Sequence, residues 1–348
     1  MMSEKKHQTV TAQDVANKAG VSRAAVSRTL TNNGSVSQAT REKVQKAAEE
    51  LGYQVNFLAQ GLNRKRSQLI GVVVAHLSDP FRSSLLEGLL TEIQQQGYQA
   101  LVTEVTSQQD LTETIRRFTQ FRVSGVIVTS GQPPVNLIKE CVQHNIPVVG
   151  INRHMDLLEV DFVCSDNTMG ATLAADQLIR SGCQTIGWLN YKHSTWSGVS
   201  RGNAFRQTID DRRLQQNEAL RLLSIEAPEE GYQGGRIAAH RIFQSGQTID
   251  GLFCANAQLA CGYLDGMREQ GLDAPHDFHL IGFDDTPLTA QYSYQLTTIS
   301  QNIKETALRA LSCLEARGRD ATKAQQLERI PVQLIVRKTS PSRANSNG

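Results

Sequence analysis

Long apolar segments are missing from this sequence of 348 residues. No apolar run approaches the roughly 20 residues that a membrane-spanning helix needs. The opening residues, MMSEKKHQ, are polar and lack the apolar core of a signal peptide. We therefore expect no membrane partner and a cytoplasmic location.

Cysteines are few and scattered, with no CxxC pair among the six. Such spacing favours neither a disulfide framework nor a metal site, so we expect free thiols in a reducing compartment. The sequence predicts no metal site and no cofactor.

Catalytic motifs are also absent. The sequence has no GxGxxG, P-loop, HExxH or GxSxG pattern. Asp284 and Asp285 are adjacent at a predicted strand end, where neighbouring side chains point to opposite sides and make a poor acid/base couple. Glu229 and Glu230 read as a solvated loop. An enzyme is therefore not expected.

Charge is distributed unevenly along the chain. Residues 1–66 carry 11 Lys and Arg against 5 Asp and Glu, whereas the remaining residues carry 25 against 29. The length predicts two or three domains. A small basic head on a slightly acidic body is typical of a nucleic-acid-binding protein with a second function.

The head has the pattern of a helix-turn-helix. Thr11 is a candidate N-cap for a first helix that Gly20 can end, and Ser22 is a candidate N-cap for the second. The second helix would bury Ala25, Val26, Thr29 and Leu30 and leave Arg23, Ala24, Ser27 and Arg28 outward. A third helix is predicted over residues 37–51. The alternative is an ordinary three-helix bundle that only packs on the body.

Several motifs make the head more specific: TxxDVAxxAGVS at 11–22, VSR at 26–28, VS at 36–37, TREKV at 40–44, GY at 52–53 and NxxAQxL at 56–62. In these motifs the chain resembles the lactose-repressor (LacI/GalR) family of bacterial transcriptional regulators. The resemblance implies DNA contacts by Thr11, Ser22, Arg23, Ala24, Ser27, Arg28, Asn56, Ala59, Gln60 and Leu62. In that family the hinge folds on the operator and its leucine enters the minor groove, a role that falls to Leu62.

The body alternates short β-branched runs with helical stretches. Strands are predicted at 70–74, 100–105, 126–129, 148–151, 162–164, 185–189, 252–254 and 280–282, and helices at 83–96, 111–121, 168–181 and 258–270. This alternation predicts parallel sheets covered by helices. The resemblance implies two Rossmann-like subdomains of the periplasmic-binding-protein type, giving an all-α helix-turn-helix head plus an α/β body.

The resulting division places the DNA-binding domain at 1–54, a hinge helix or linker at 55–67, the ligand-binding and dimerisation domain at 68–340 and a disordered tail at 341–348. The body would consist of two discontinuous subdomains, 68–165 plus 298–325 and 166–297 plus 326–340. Because the tail lacks an apolar heptad, we expect a homodimer rather than a tetramer.

Loops at the carboxyl ends of the strands are where open α/β sheets bind ligands. The resemblance assigns a ligand-binding role to positions in these loops: Asp79, Phe81, Asn152, Arg153, Arg201, Asn256 and Asp284. Asn256 and Asp284 could instead be helix caps, and Arg201 a surface ion-pair partner. Amide, guanidinium and carboxylate groups together suit a polyhydroxylated ligand, and three arginines (Arg82, Arg153, Arg201) favour an anionic one, such as a sugar acid or sugar phosphate.

The sequence thus predicts a transcriptional regulator, in this family most often a repressor, that binds a pseudo-palindromic operator in double-stranded DNA and a sugar, sugar acid or sugar phosphate effector. We expect it to associate with the nucleoid through DNA. The alternatives are a sugar-binding or transport protein without a transcriptional role and a sugar-metabolising enzyme. The missing signal peptide and the basic head argue against the first, and the missing catalytic motifs against the second.

Overall fold

The computed structural model describes residues 10–30, 36–53, 67–105, 108–129, 135–216 and 219–341. The chain forms two compact units, Met1–Ser67 and Gln68–Gly348. The hinge predictions for Asn56, Ala59, Gln60 and Leu62, and the predicted tail beyond Pro341, lie outside the described residues.

The first unit is the predicted helical head, with α1 at Ala12–Ala19, α2 at Arg23–Leu30 and α3 at Gln38–Leu51. Thr11 caps α1 and forms a capping box with Asp14, and Gly20 ends the helix in the left-handed conformation at φ 64°. The amide of Ala25 donates to Oγ of Ser22 at 3.2 Å. The predicted caps of the first two helices are confirmed.

A small core holds the three helices together. Its fully buried members are Val15, Ala16, Val26, Val44, Ala47 and Ala48. In α3 the buried residues Val44, Ala47 and Ala48 recur at helical spacing, so this helix turns its opposite, polar face outward.

The second unit contains two six-stranded sheets covered by helices. Its strands are β1 Leu69–Val74, β2 Gln99–Glu104, β3 Gly125–Val128, β4 Val148–Ile151, β5 Val160–Ser165, β6 Thr185–Tyr191, β7 Arg221–Ala227, β8 Gly251–Cys254, β9 His279–Asp284, β10 Thr297–Gln301, β11 Leu327–Ile330 and β12 Val332–Ile335. Its helices are α4 Pro80–Gln95, α5 Gln108–Gln120, α6 Val135–Gln143, α7 Asn167–Arg180, α8 Trp196–Gln216, α9 Gly231–Ser245, α10 Ala257–Arg268 and α11 Ile303–Arg319, with a 3-10 turn at Pro287–Ala290.

The strand order is β11-β5-β4-β3-β1-β2 in the first sheet and β12-β10-β9-β8-β6-β7 in the second. All neighbours in the first sheet are parallel, and in the second only β12 runs antiparallel, against β10. The predicted class, a helical head plus a body of two doubly wound lobes, is confirmed.

The chain passes between the two lobes three times: after β5, after β10, and at Pro331 between β11 and β12. The subdomain boundaries differ from the sequence-based ones for this reason. β10 pairs with β9 in the second sheet, whereas the sequence assigns 298–325 to the first lobe. β11 pairs with β5 in the first sheet, whereas the sequence assigns 326–340 to the second lobe.

Candidate functional site

The outward face of α2 carries the predicted DNA contacts of the head. Arg23, Ala24, Ser27 and Arg28 are all exposed, whereas Val26 on the opposite face is buried. The Nε of Arg28 donates to the backbone oxygen of Ala24 at 3.3 Å, which draws the guanidinium back along the helix. A positively charged, exposed helix face of this kind can enter the major groove of DNA.

The other two predicted contacts of the head lie at helix starts. The side chains of Thr11 and Asp14 are joined by a hydrogen bond of 2.7 Å between Oγ1 and Oδ2. This bond and the one from the Thr11 amide lower the pKa of Asp14. Thr11 and Ser22 are both exposed, and each places a hydroxyl at the end of a helix that a phosphate could approach.

A cavity that is open to solvent lies between the two lobes of the body, at the carboxyl ends of their strands, and its empty space of about 520 Å³ includes part of that solvent. It is lined by Asp79, Phe81, Arg82, Asn152, Asn190, Tyr191, Ser194, Thr195, Ser197, Gly198, Arg201, Glu230, Ala255, Asn256 and Asp284. The lining is mostly polar and comes from both lobes, so a bound molecule would contact the two lobes at once.

Six of the seven residues assigned to ligand binding are brought together in this lining: Asp79, Phe81, Asn152, Arg201, Asn256 and Asp284. Arg153 is not among the lining residues. Asn152 adopts a left-handed conformation at φ 52° as β4 ends, and the next side chain packs with its Cγ close to Gly150. The Nε and Nη1 atoms of Arg153 are buried without a hydrogen-bond partner.

Arg201 is the most enclosed cation of the cavity. It is 6% exposed, and its Nε donates to Oδ1 of Asn167 at 2.8 Å while its Nη1 donates to the backbone oxygen of Ala255 at 2.6 Å. The guanidinium also lies 3.4 Å from the ring centroid of Phe283. Burial lowers the pKa of Arg201 to about 10, against the opposing influence of Asp284. The surface ion-pair interpretation of Arg201 is therefore wrong.

Asp284 faces Arg201, with 3.8 Å between Oδ1 and Nη1. Burial raises the pKa of Asp284 to about 6, partly offset by Arg201 and reinforced by Asp79. Its neighbour Asp285 turns away and pairs with Arg337 at 2.8 Å. The two adjacent carboxylates thus point in different directions, as predicted.

Gln301 organises the polar wall, although the sequence did not single it out. Its Nε2 donates to Oδ1 of Asp284 at 2.6 Å, and its Oε1 accepts from Nδ2 of Asn152 at 3.2 Å and from Oγ of Ser165. Gln301 therefore joins the ends of strands from both sheets. Its position, close to the predicted boundary between the subdomain segments 166–297 and 298–325, is the signal that could have identified it.

The predicted capping alternative holds for Asn256 and not for Asp284, because the 3-10 turn that follows Asp284 has Thr286 as its N-cap. Two residues, Asp79 and Asn256, both cap a helix and line the cavity. Asp79 accepts from the amide of Arg82 at 3.0 Å and caps α4, and Asn256 accepts from the amide of Leu259 at 2.8 Å and caps α10. Capping fixes the orientation of each side chain, which leaves its remaining polar atoms positioned for a ligand.

Arg82 and Glu230 were not expected to meet. Arg82 lies in the first turn of α4 and Glu230 immediately before α9, and their side chains join across the cavity at 2.7 Å between Nη2 and Oε1. The sequence predicts only a solvated loop at Glu230. The pairing could not be predicted because 148 residues separate the two partners and only the tertiary fold brings them together.

The described part of the body and head contains no cluster of three or more potential metal ligands. Across the same residues, no helix is both long and apolar enough to cross a membrane. All six cysteines are buried and none forms a disulfide, and burial raises the pKa of Cys141 and Cys164 to about 12.

Comparisons with known proteins agree with this arrangement. Residues 11–56 match the family described as bacterial regulatory proteins, lacI family, and residues 175–340 match a periplasmic binding protein-like domain. The HTH-type transcriptional regulator DegA of Bacillus subtilis is 30% identical over 342 residues, covering 95% of this chain and 98% of that protein.

Two solved structures are similar along most of the chain. The lac repressor dimer bound to operator and the anti-inducer ONPF has a TM-score of 0.80 and 25% identity, with 96% of this chain and 100% of that chain covered. A regulator from Enterococcus faecium with bound ribose has a TM-score of 0.68 and 25% identity, with 79% of this chain and 100% of that chain covered.

Proposed function

The chain belongs to the lacI family of bacterial regulatory proteins, and from this premise we propose that it represses transcription under the control of a sugar or sugar derivative. It is a DNA-binding transcriptional regulator and not an enzyme. The observation that carries the proposal is the presence in one chain of an exposed, positively charged helix face in the head and a polar cavity between two lobes in the body.

DNA recognition falls to α2. Arg23, in its first turn, is placed to contact a base edge, and Arg28, one turn later, to contact the backbone or a second base. The lac repressor structure is a dimer bound to its operator. By analogy this chain works as a homodimer on a pseudo-palindromic operator, with one head in each half-site. Linking two heads raises operator affinity through their effective concentration.

The hinge residues would complete the DNA interface. Asn56, Ala59, Gln60 and Leu62 occupy the positions that contact DNA in the family, with Leu62 at the minor groove. A residue inserted there costs unstacking energy and is repaid by contacts that the bent duplex permits.

Effector binding falls to the cavity between the lobes. Arg201, Asn152, Asn256, Asp79 and Asp284 offer donors and acceptors to a polyhydroxylated molecule, and the aromatic ring of Phe81 offers an apolar face. The Enterococcus faecium regulator holds ribose, which supports a sugar as the ligand class. The regulator acts in the cytoplasm, on chromosomal DNA of the nucleoid.

An effector that contacts both lobes would change their relative position, and through the hinge the spacing of the two heads. Such an effector can shift operator affinity only by the difference in its own affinity for the two states. Reciprocally, operator DNA changes effector affinity by the same factor.

The test combines operator selection with an effector screen. Fragmented genomic DNA is captured by the full-length protein, the enriched sites are sequenced, and neutral sugars, sugar acids and sugar phosphates are screened for release or tightening of the selected site. We expect one palindromic motif and at least one active sugar. Ligand binding without any selective DNA capture would favour a sugar-binding or transport protein instead.

A further inference from the structure

The Arg82–Glu230 pair crosses the effector cavity and joins the two lobes. Arg82 is 9% exposed and Glu230 39% exposed. The Glu230 residue stands at the N-cap of α9 but makes no side-chain capping bond. Its carboxylate reaches the other lobe instead, and one Oε1–Nη2 bond of 2.7 Å closes this end of the cavity.

Arg82 still has an unused donor at the cavity. Its Nη1 is buried and has no hydrogen-bond partner, while Nη2 is held by Glu230. A buried donor without an acceptor is costly, and a guanidinium donor more so than a neutral one. Because Arg82 is one of the residues that line the cavity, a ligand oxygen that enters beside its guanidinium would satisfy a donor that the protein leaves unsatisfied.

The charges around this position disfavour an anion. The cavity is lined by two cations, Arg82 and Arg201, and by three carboxylates, Asp79, Glu230 and Asp284. Each cation already faces a carboxylate, at 2.7 Å for Arg82 and 3.8 Å for Arg201. A phosphate or carboxylate on the ligand would have to displace Glu230 from Arg82 and would meet the remaining negative charge.

We propose that Arg82 and Glu230 form a cross-lobe subsite for neighbouring hydroxyls of an uncharged sugar and exclude phosphorylated and acidic sugars. Arg82 Nη1 donates to one ligand oxygen, and the second carboxylate oxygen of Glu230 accepts from the adjacent hydroxyl. This inference rests on the proposed function, and it replaces the sequence-based expectation that the arginines favour an anionic effector. Because the two residues belong to different lobes, the same hydroxyls hold the cavity closed.

The decisive variant is Glu230→Gln, with Glu229→Gln as its matched control. Glu229 is exposed, stands next in sequence, carries the same charge and does not line the cavity. Binding to the full-length protein is measured by calorimetry for D-ribose, D-galactose and D-glucose, and for ribose 5-phosphate, glucose 6-phosphate and gluconate. We expect wild type to bind a neutral sugar in preference to its anionic counterparts. In Glu230→Gln the ratio of anionic-sugar affinity to neutral-sugar affinity should rise by about tenfold or more. The variant loses the charge-assisted bond from Glu230 to the sugar hydroxyl, and it no longer repels an anion.

Inorganic phosphate gives a second measurement that needs no knowledge of the natural sugar. Phosphate should raise the thermal midpoint of the body in Glu230→Gln and not in wild type or Glu229→Gln, because only that variant frees Arg82. Equal stabilisation of all three proteins, or preferential binding of an anionic sugar by wild type, would overturn the subsite. If no sugar binds or alters operator binding, the proposed sugar effector fails, while the phosphate comparison still decides whether Glu230 keeps anions away from Arg82.

Discussion

At the scale of single residues, the cavity is governed by the environment of Asp284. The carboxylate is 9% exposed, faces Arg201 and accepts a hydrogen bond from Gln301. Burial raises its pKa to about 6. The group is therefore ionised at pH 7 and becomes a neutral acid as the pH falls below 6. Ordinary surface carboxylates stay mostly ionised over this pH range.

The first prediction concerns this titration. Between pH 7 and pH 5, affinity for a neutral sugar effector should fall about tenfold, since the ionised form that Arg201 and Gln301 hold becomes scarce below its pKa. Calorimetry across the range measures the fall. Asp284→Asn, which cannot ionise, should bind weakly but with no slope over the same interval. If the affinity of the wild type changes as little with pH as that of the variant, the titration of Asp284 does not affect effector binding.

The second prediction concerns Arg23. Its exposed side chain in the first turn of α2 can form a bidentate contact with guanine O6 and N7. Arg23→Ala should lose about 1–3 kcal/mol on the selected operator and relax one base position in each half-site. Binding to operator and random duplexes is compared at fixed salt. Equal losses on the two would mean that Arg23 contacts only phosphate.

At the scale of elements, helices α9 and α10 pack unusually close together. A Cβ on Gly262 would lie 1.9 Å from the backbone oxygen of Tyr232, and one on Gly235 would lie 2.1 Å from the backbone oxygen of Leu259. The helix backbones are in direct contact there, because no side chain separates them. Since Asn256, the N-cap of α10, lines the cavity, this packing also fixes part of the binding site.

The third prediction follows from that contact. Gly262→Ala should destabilise the body by about 3 kcal/mol, because an added methyl must push two backbones apart. Gln244→Ala, at an exposed position of α9, should have almost no effect. Thermal unfolding measures both variants. If the two have the same midpoint, the helices can separate without cost and the close approach contributes nothing to stability.

Periodicity and caps predicted most elements of the fold. The predicted strand at 148–151 coincides with β4, and other predicted strands differ from the observed ones by a few residues at their ends. The strands that the sequence did not predict are those whose pairing depends on the tertiary fold and not on a local pattern of apolar residues. The sequence analysis did not predict β7, which pairs with β6 at the edge of the second sheet. β11 and β12 are four residues each and separated only by Pro331, too short for periodicity to distinguish.

The cavity was predictable to the extent that each residue could be placed at a strand end. Asp79, Asn152 and Asn256 follow strands, Asp284 is the last residue of one, and all four line the cavity. Local position cannot report which residues meet across the lobes. Gln301 and the Arg82–Glu230 pair depend on partners about 150 residues away, a distance at which sequence pattern carries no information about contact.

At the scale of the whole molecule, the head and body each have their own core. Among the residues that the structure describes, the head buries six apolar side chains, and each lobe of the body surrounds its sheet with a much larger set. Small cores give marginal stability because little surface is removed from water. The two units are therefore expected to differ in their resistance to heat.

The fourth prediction is that the head unfolds first. Calorimetry of the full-length protein should show a small early transition and a large later one. Operator DNA should raise the midpoint temperature of the first transition, and a sugar effector that of the second, as expected for ligands that each bind only one folded unit. Val44→Ala should lower the first transition and leave the second unchanged. One merged transition that Val44→Ala shifts as a whole would show that the units unfold together.

The three passages of the chain between lobes also set an order on biosynthesis. The first sheet needs β11 at its edge and α11 over its face, yet both emerge from the ribosome only after nearly all of the second lobe. The first lobe must wait, with the apolar surface that α11 will cover still exposed, until residue 330 has been translated. Such a delay leaves nascent chains open to aggregation. A ribosome that stops at residue 302 would thus release a chain in which neither sheet has its last edge strand, and cellular quality control would be expected to remove it.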